Sequence, residues 1–205
     1  FFFFLYYLKI KDENIFNFFC DRLSEVYPMH DIDRELCYQY FKYFELPKNT
    51  LYEKQGEIPQ YQNYILSGFM RKFYTDTDGN EITVEINSEP RFIASYMSLM
   101  ERKPATESLQ TITDCKILRI KRDDMDIVFE KGVSVKQYTI QLFQNIIEEK
   151  NKKAVELATL TAEERYLKLL KETPQLLQNV PIQYIASLLG MKPESLSRIR
   201  KRLNK

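Results

Sequence analysis

The chain has 205 residues, 44% of them hydrophobic and 29% charged. That composition supports a packed core in one large domain or two small ones and excludes wholesale disorder. A net charge of +1 does not by itself indicate a nucleic-acid partner.

Three scattered cysteines, Cys20, Cys37 and Cys115, form no CxxC pair, so neither a disulfide framework nor a zinc site is expected. They read as reduced core thiols, which favours the cytoplasm. Phe1 to Leu8 is an unbroken aromatic and aliphatic run, too short to span a bilayer and without the basic leader or cleavage site of a secretory signal. A short N-terminal helix is expected there, with no function attached to it.

From Asn14 to Phe44 the texture is that of short helices, with Leu36, Tyr40, Tyr43 and Phe44 at helical spacing. From Thr50 to Ile120 it becomes short β runs broken by turns. Tyr64-Ile65-Leu66 ends at Ser67-Gly68, and Phe69 to Tyr74 runs into Asp76-Thr77-Asp78-Gly79-Asn80, a hairpin signal. Glu81 to Ile86 alternates, which predicts Ile82, Val84 and Ile86 facing inward. Thr106 to Thr113 and Cys115 to Ile120 add two strands. Several short antiparallel strands at this spacing predict a small barrel or roll.

Beyond Lys121 the β signals stop. Ser134 to Leu157 reads as a long helix with two apolar stripes. One is Val135, Tyr138, Leu142 and Ile146. The other is Ile140, Phe143, Ile147, Ala154 and Leu157, broken by Lys150. A helix sticky on two sides needs two partners. The barrel can cover the first stripe and the same helix of a second subunit the second; the alternative is a central helix buried within one monomer.

Thr161-Ala162-Glu163-Glu164 is a capping box opening another helix, and Thr173-Pro174 closes it. Pro181 opens the next, whose buried side is Ile182, Ile185, Ala186 and Leu189. Gly190 provides the exit, Met191 and Lys192 complete a tight turn, and Pro193 starts the last helix. Two short helices joined by such a turn make a helix-turn-helix.

At about 100° per residue the last helix divides into faces. Leu196, Ile199 and Leu203 gather on one side and are expected to pack inward, while Glu194, Arg198 and Lys201 face out. Arg198 suits a bidentate contact to guanine and Glu194 can accept from cytosine N4. Ser195, Ser197, Arg200 and Arg202 flank that face and, with Lys192 in the turn, suit phosphates. Lys192 to Lys205 holds six basic residues and one acid, 6 − 1 = +5, against 1 − 5 = −4 for the rest of the chain. A merely solvated basic helix is the alternative.

Ala162-Glu163-Glu164-Arg165-Tyr166, Val180 to Leu189 and Pro193-Glu194-Ser195-Leu196-Ser197-Arg198-Ile199 resemble the C-terminal half of CRP/FNR-type regulators, especially their Bacteroidetes branch. The resemblance runs from about Phe18 to Leu203 and includes the Gly68 and Asp78-Gly79 turns. It implies an α+β fold in three parts. Residues 14–121 would form a double-stranded β-helix of cyclic-nucleotide-binding type with N-terminal helices, 122–159 a connecting and dimerisation helix, and 160–205 a winged-helix-like helix-turn-helix domain. Glu194 and Arg198 fall on the family's base-contacting positions. The sequence runs out soon after Leu203, so no wing is expected there.

The resemblance also locates an effector pocket at Ala94, Ser95, Ala105 and Thr106. Cyclic-nucleotide binders have Gly-Glu where Ala94-Ser95 stands and an Arg where Ala105 stands. Without that cation a buried cyclic phosphate would be poorly paired. Cyclic AMP is therefore not the expected effector, and the effector is left unidentified.

Other chemistries find no support. There is no cysteine cluster for iron–sulfur, and the single histidine, His30, precedes the barrel and reads as a surface or hydrogen-bonded residue. No histidine lies between Thr50 and Ile120 to hold a cupin metal, and no nucleophile or phosphate-loop motif appears. No metal, cofactor or enzymatic activity is expected.

The reading is a cytoplasmic, homodimeric transcription regulator that binds a palindromic double-stranded operator, with RNA polymerase as a further partner and no membrane association. The alternative is a ligand-binding roll whose C-terminal helices contact protein.

Overall fold

Among the described residues, eight short strands pair entirely antiparallel in two four-stranded sheets, β1-β8-β3-β6 and β2-β7-β4-β5. In chain order they are β1 (Lys42–Leu46), β2 (Leu51–Glu53), β3 (Tyr61–Ser67), β4 (Met70–Thr75), β5 (Glu81–Ile86), β6 (Arg91–Ile93), β7 (Ser108–Thr111) and β8 (Cys115–Lys121). The computed structural model describes residues 14–87 and 90–203; the run Phe1 to Leu8 lies outside them.

Helices α1 (residues 14–24) and α2 (Asp31–Tyr40) precede the roll, and α3 (Tyr96–Glu101) interrupts it. After it come α4 (Arg122–Lys131), α5 (Val135–Thr159), α6 (Ala162–Glu172), α7 (Pro174–Asn179), α8 (Ile182–Leu188) and α9 (Pro193–Leu203). None of the described helices is long and apolar enough to cross a membrane.

Three apolar clusters hold these layers together. Ile65, Met70, Ile93, Leu109 and Ile117 fill the space between the two sheets. Phe19, Leu36, Phe41, Tyr64, Leu118 and Met125 pack α1, α2 and α4 on the outer face of the first sheet. Ile86 and Ile112 of the roll join Tyr166, Ile185, Ala186 and Leu196 of the C-terminal helices in the third. Cys20, Cys37 and Cys115 are buried free thiols.

Three details depart from the sequence reading. Tyr43 and Phe44 lie on a strand, opposite Leu118 and Ile117 of β8. The strand is apolar on both faces, Tyr43 against the outer helices and Phe44 against the inter-sheet core, so neighbouring apolar residues mimicked a helix. Val84 is 41% exposed, because the register slips between Lys72 and Phe73. Glu85 then pairs with Lys72 and Thr83 with Phe73, so Val84 is the extra residue of a β-bulge and the simple alternation ends there. Thirdly, α4 is a separate helix whose Met125 and Val128 pack into the outer cluster, where the sequence suggested only a connection.

The start of α5 is tied to α2 by one buried carboxylate. Asp33 accepts from the backbone amides of Val133 at 2.8 Å and His30 at 3.1 Å, and from both the amide and the hydroxyl of Ser134. Burial alone would raise its pKa, but these hydrogen bonds outweigh it and hold it below the ordinary value. His30 is exposed at the head of α2.

Gly68, at the β3–β4 corner, has φ +92°, and a Cβ there would stand 2.3 Å from the Asp114 carbonyl oxygen. Gly79, in the Asp76–Asn80 hairpin turn, has φ +83° with nothing within 4 Å. Gly68→Ala should therefore cost about 2 kcal/mol or more, strain and clash together, and Gly79→Ala only about 1 kcal/mol from strain. Urea denaturation of both variants checks the ranking.

Candidate ligand cavity and nucleic-acid interface

A cavity of about 610 Å³ opens between the roll and α5. Tyr138, Leu142, Phe143 and Ile146 of α5 form one wall; Phe92, Ile93 and Ala94 of the β6 region and Met125 and Val128 of α4 form others. The first expected stripe of α5 therefore faces the roll. Phe143, assigned by pattern to the opposite stripe, turns the same way and stacks edge-on against Tyr96 at 4.9 Å. A side chain between two stripes goes to whichever offers a ring to pack on. Ile140, Ile147, Ala154 and Leu157 remain exposed on the other side, as does Val155.

Of the four residues the resemblance pointed to, Ala94 lines this cavity, while Ser95, Ala105 and Thr106 do not. Glu107 lines it instead, and was missed. Its carboxylate accepts from Ser95 Oγ at 3.1 Å and Thr106 Oγ1 at 2.8 Å, so both hydroxyls of the expected effector pocket are engaged by an acid.

The cavity's charges gather around Glu85, whose side chain is buried. Lys150 Nζ lies 3.2 Å from its carboxylate, Lys72 Nζ 3.6 Å and Arg91 Nε 3.8 Å. Burial would raise the Glu85 pKa, but these three cations pull it below the ordinary value. Arg91 also reaches Glu149 at 3.1 Å, and Lys153 reaches Glu149 at 2.7 Å. Burial pushes Glu149 up, yet Lys153 and Arg91 bring it down to about 2. Lys150 thus explains the gap in the apolar stripe: its ammonium serves the cavity rather than a seam between helices.

The C-terminal unit is built as its turn signals predict. Thr161 Oγ1 accepts from the Glu164 amide and Glu164 accepts from the Thr161 amide, closing the capping box of α6. At the end of α8, Gly190 takes φ +68° while its amide donates to Ser187 O at 3.0 Å and the Met191 amide to Ala186 O at 2.9 Å. That pair of bonds lets the chain turn tightly into α9. Arg165, which no pattern singled out, braces the turn by donating to Leu160 O at 2.6 Å and Leu189 O at 2.9 Å.

On α9, Leu196 is fully buried and Ile199 half-buried, but Leu203 is 42% exposed because the helix outruns the core beneath it. Glu194, Ser197, Arg198 and Lys201 are exposed, as is Lys192 in the turn. Ser195 and Arg200 are half-buried. Arg202 is exposed but ion-paired to Glu163 of α6.

Residues 43–131 match the family model of the cyclic nucleotide-binding domain. The whole architecture, roll, long helix and C-terminal helices, is similar in fold to several solved proteins. FixK2 from Bradyrhizobium japonicum is 17% identical with a TM-score of 0.68 over 80% of this chain and 84% of that one. The c-di-GMP responsive global regulator CLP of Xanthomonas campestris is 21% identical, TM-score 0.66, over 84% and 90%. The catabolite activator protein of Thermus thermophilus is 20% identical, TM-score 0.54, over 87% and 85%. At these identities the likeness is one of fold. No curated relative matches the chain. Among the described residues no cluster of His, Cys, Asp and Glu could hold a metal ion.

Near this cavity Glu53 is buried against Asn63, whose Nδ2 donates to it at 3.0 Å, and burial pushes its pKa up to about 7. The folded state then holds a proton that the unfolded state releases near its ordinary value. Stability is therefore lost as pH rises from about 4.5 through 7. The lowered groups, Asp33, Glu85 and Glu149, contribute fully throughout the upper part of that window. Glu53→Gln should remove a fall on the order of 1–2 kcal/mol between pH 6 and 8, read from urea midpoints at both pH values.

Proposed function

We propose that the protein is a cytoplasmic, homodimeric, sequence-specific DNA-binding transcription regulator. The observation that carries this reading is the outward face of α9. Glu194, Arg198 and Lys201 stand free of the core on the side opposite buried Leu196, with exposed Ser197 on the flank, in a two-helix unit. Long polar side chains on a helix anchored from behind are what major-groove reading needs. Lys192, Ser195, Arg200 and Arg202 serve the flanking phosphates, Arg202 by giving up Glu163.

In this reading residues 14–121 sense, 122–159 connect and dimerise, and 160–205 bind the operator, with RNA polymerase as the downstream partner. The effector is not cyclic AMP, since Ala105 offers no cation and Glu107 holds the neighbouring hydroxyls.

Arg198→Ala should lower affinity for the cognate duplex by about 1–3 kcal/mol per half-site and for a scrambled duplex much less. Lys192→Ala should weaken both alike and reduce the salt slope by about one. Titrations of each variant at several salt concentrations check this. Equal loss on both duplexes for Arg198→Ala would remove it from base reading.

Dimerisation is proposed through Ile140, Ile147 and Ala154, exposed along α5 in heptad steps, with Leu157 three residues further on. Ile140→Asp with Ile147→Asp should yield folded monomers, because each places an unpaired charge in the interface. Sedimentation velocity decides; an unchanged dimer would put the interface elsewhere.

A further inference from the structure

Space of about 610 Å³ is enough for about 20 water-sized groups at roughly 30 Å³ each, and falls within the usual range for small-molecule sites. Tyr138, Leu142, Phe143 and Ile146 of α5 turn apolar surface toward it, and each is only half-buried. An occupant would complete their burial. Rings are prominent elsewhere on the wall too, with Phe41, Phe92, Tyr96 and Phe129 among them. Flat aromatic molecules meet such walls edge-on or in offset stacks.

The charges on the wall are balanced. Lys72, Arg91 and Lys150 stand against Asp33, Glu85 and Glu107, three of each sign. All three cations lie against Glu85. Asp33 is held by backbone amides and the Ser134 hydroxyl, and Glu107 by the hydroxyls of Ser95 and Thr106. An ionised occupant of either sign would bring a desolvated charge with no surplus of the opposite sign to meet it.

One uncharged polar group is in a different position. Gln62 of β3 lines the same cavity, 8% exposed, and its Oε1 has no hydrogen-bond partner among the described residues. A buried acceptor left unpaired is costly, and one N–H or O–H donor would satisfy it. Rotation about the last side-chain bond, a soft torsion, can turn that oxygen toward an occupant.

We propose that the cavity binds an uncharged, mainly aromatic ligand that donates one hydrogen bond to Gln62. The balanced wall selects against ions, the rings select a flat apolar body, and the unpaired oxygen selects a single donor. A cyclic nucleotide fails the first condition through its phosphate and the second through its ribose and polar base. This assignment rests on the cavity alone and does not depend on α9 binding DNA.

The test titrates the full chain with two fluorescent probes, each below its solubility limit, and follows the emission, which rises in apolar surroundings. N-Phenyl-1-naphthylamine is uncharged and carries one N–H. 8-Anilinonaphthalene-1-sulfonate has the same skeleton with an added negative charge. The amine should bind saturably at one site per chain, and the sulfonate at least about tenfold more weakly. 1-Benzylnaphthalene, in which a methylene replaces the N–H, should compete about tenfold more weakly than the amine binds. Gln62→Leu should remove that difference between the two. Leu142→Trp, which fills the cavity, should abolish amine binding while circular dichroism shows the fold intact, and the milder Ile146→Phe should weaken it. No saturable amine binding, equal affinity for amine and sulfonate, an N–H preference that survives Gln62→Leu, or full binding to folded Leu142→Trp would each overturn the proposal. Operator titrations score the DNA reading separately.

Discussion

A guanidinium buried in the second sheet constrains how the two ends of the molecule meet. The Arg71 side chain is 2% exposed and, unlike a lysine or histidine, cannot shed its charge. Its partners must therefore come to it. Gln110 of β7 accepts from Nε at 2.9 Å and Nη2 at 2.6 Å, and Glu81 of β5 supplies the counter-charge. Phe73 of the same strand stacks 3.9 Å from the guanidinium carbon, and Tyr184 of α8 covers it at 3.8 Å. The last contact belongs to the C-terminal unit. Beside it, the Thr83 amide donates to Ser187 Oγ of α8 at 2.9 Å, and Ile86 and Ile112 close the apolar seam. Because α8 is seated on the roll in this way, and the Gly190 turn fixes α9 relative to α8, the outward face of α9 has a defined direction relative to the roll.

Helix α5 is held in the opposite manner. None of its residues is fully buried. Its first turn is pinned by Asp33, its middle reaches the roll through Lys150 and Glu149, and between those points it looks onto the cavity. Its outer side carries Ile140 and Ile147 in solvent. Any occupant of the cavity would touch Tyr138, Leu142 and Ile146 from within, so its affinity would depend on how closely α5 lies against the roll. By reciprocity, whatever covers the outer side would change that affinity as much as the occupant changes the covering.

The parts of this fold legible from sequence are those where local chemistry dictates backbone shape. Thr161 with Glu164, Pro181, Gly190 and Asp76 to Asn80 act within a few residues, and each stands where its pattern places it. The parts that were not legible depend on contacts across the chain. A bulge at Val84 leaves no mark in an alternating strand, since two residues opposing one is a property of the pair of strands. Phe143 changed stripe because Tyr96, in a helix the sequence did not reveal, offered it a ring. No local pattern marks Arg71 as buried, because Gln110, Glu81 and Tyr184, which enclose it together with Phe73, come from other elements. Glu107 was passed over because the resemblance directed attention to Ala105 and Thr106 beside it.

That last omission bears on what a shared fold implies. The roll of this chain supplies two sheets, a bulge and a helix lying across the opening, and these are set by backbone and apolar packing. Ligand chemistry is set by a handful of side chains on that frame. In this chain Ser95 and Thr106 hydrogen-bond Glu107, so an acid occupies the surroundings in which the resemblance implied a cation. The cations stand instead on β4, β6 and α5, as Lys72, Arg91 and Lys150. Moving one of them onto α5 has a mechanical consequence. The Lys150–Glu85 ion pair joins α5 to the roll, so the charged cluster that lines the cavity also holds the helix whose outer face carries Ile140 and Ile147 in solvent.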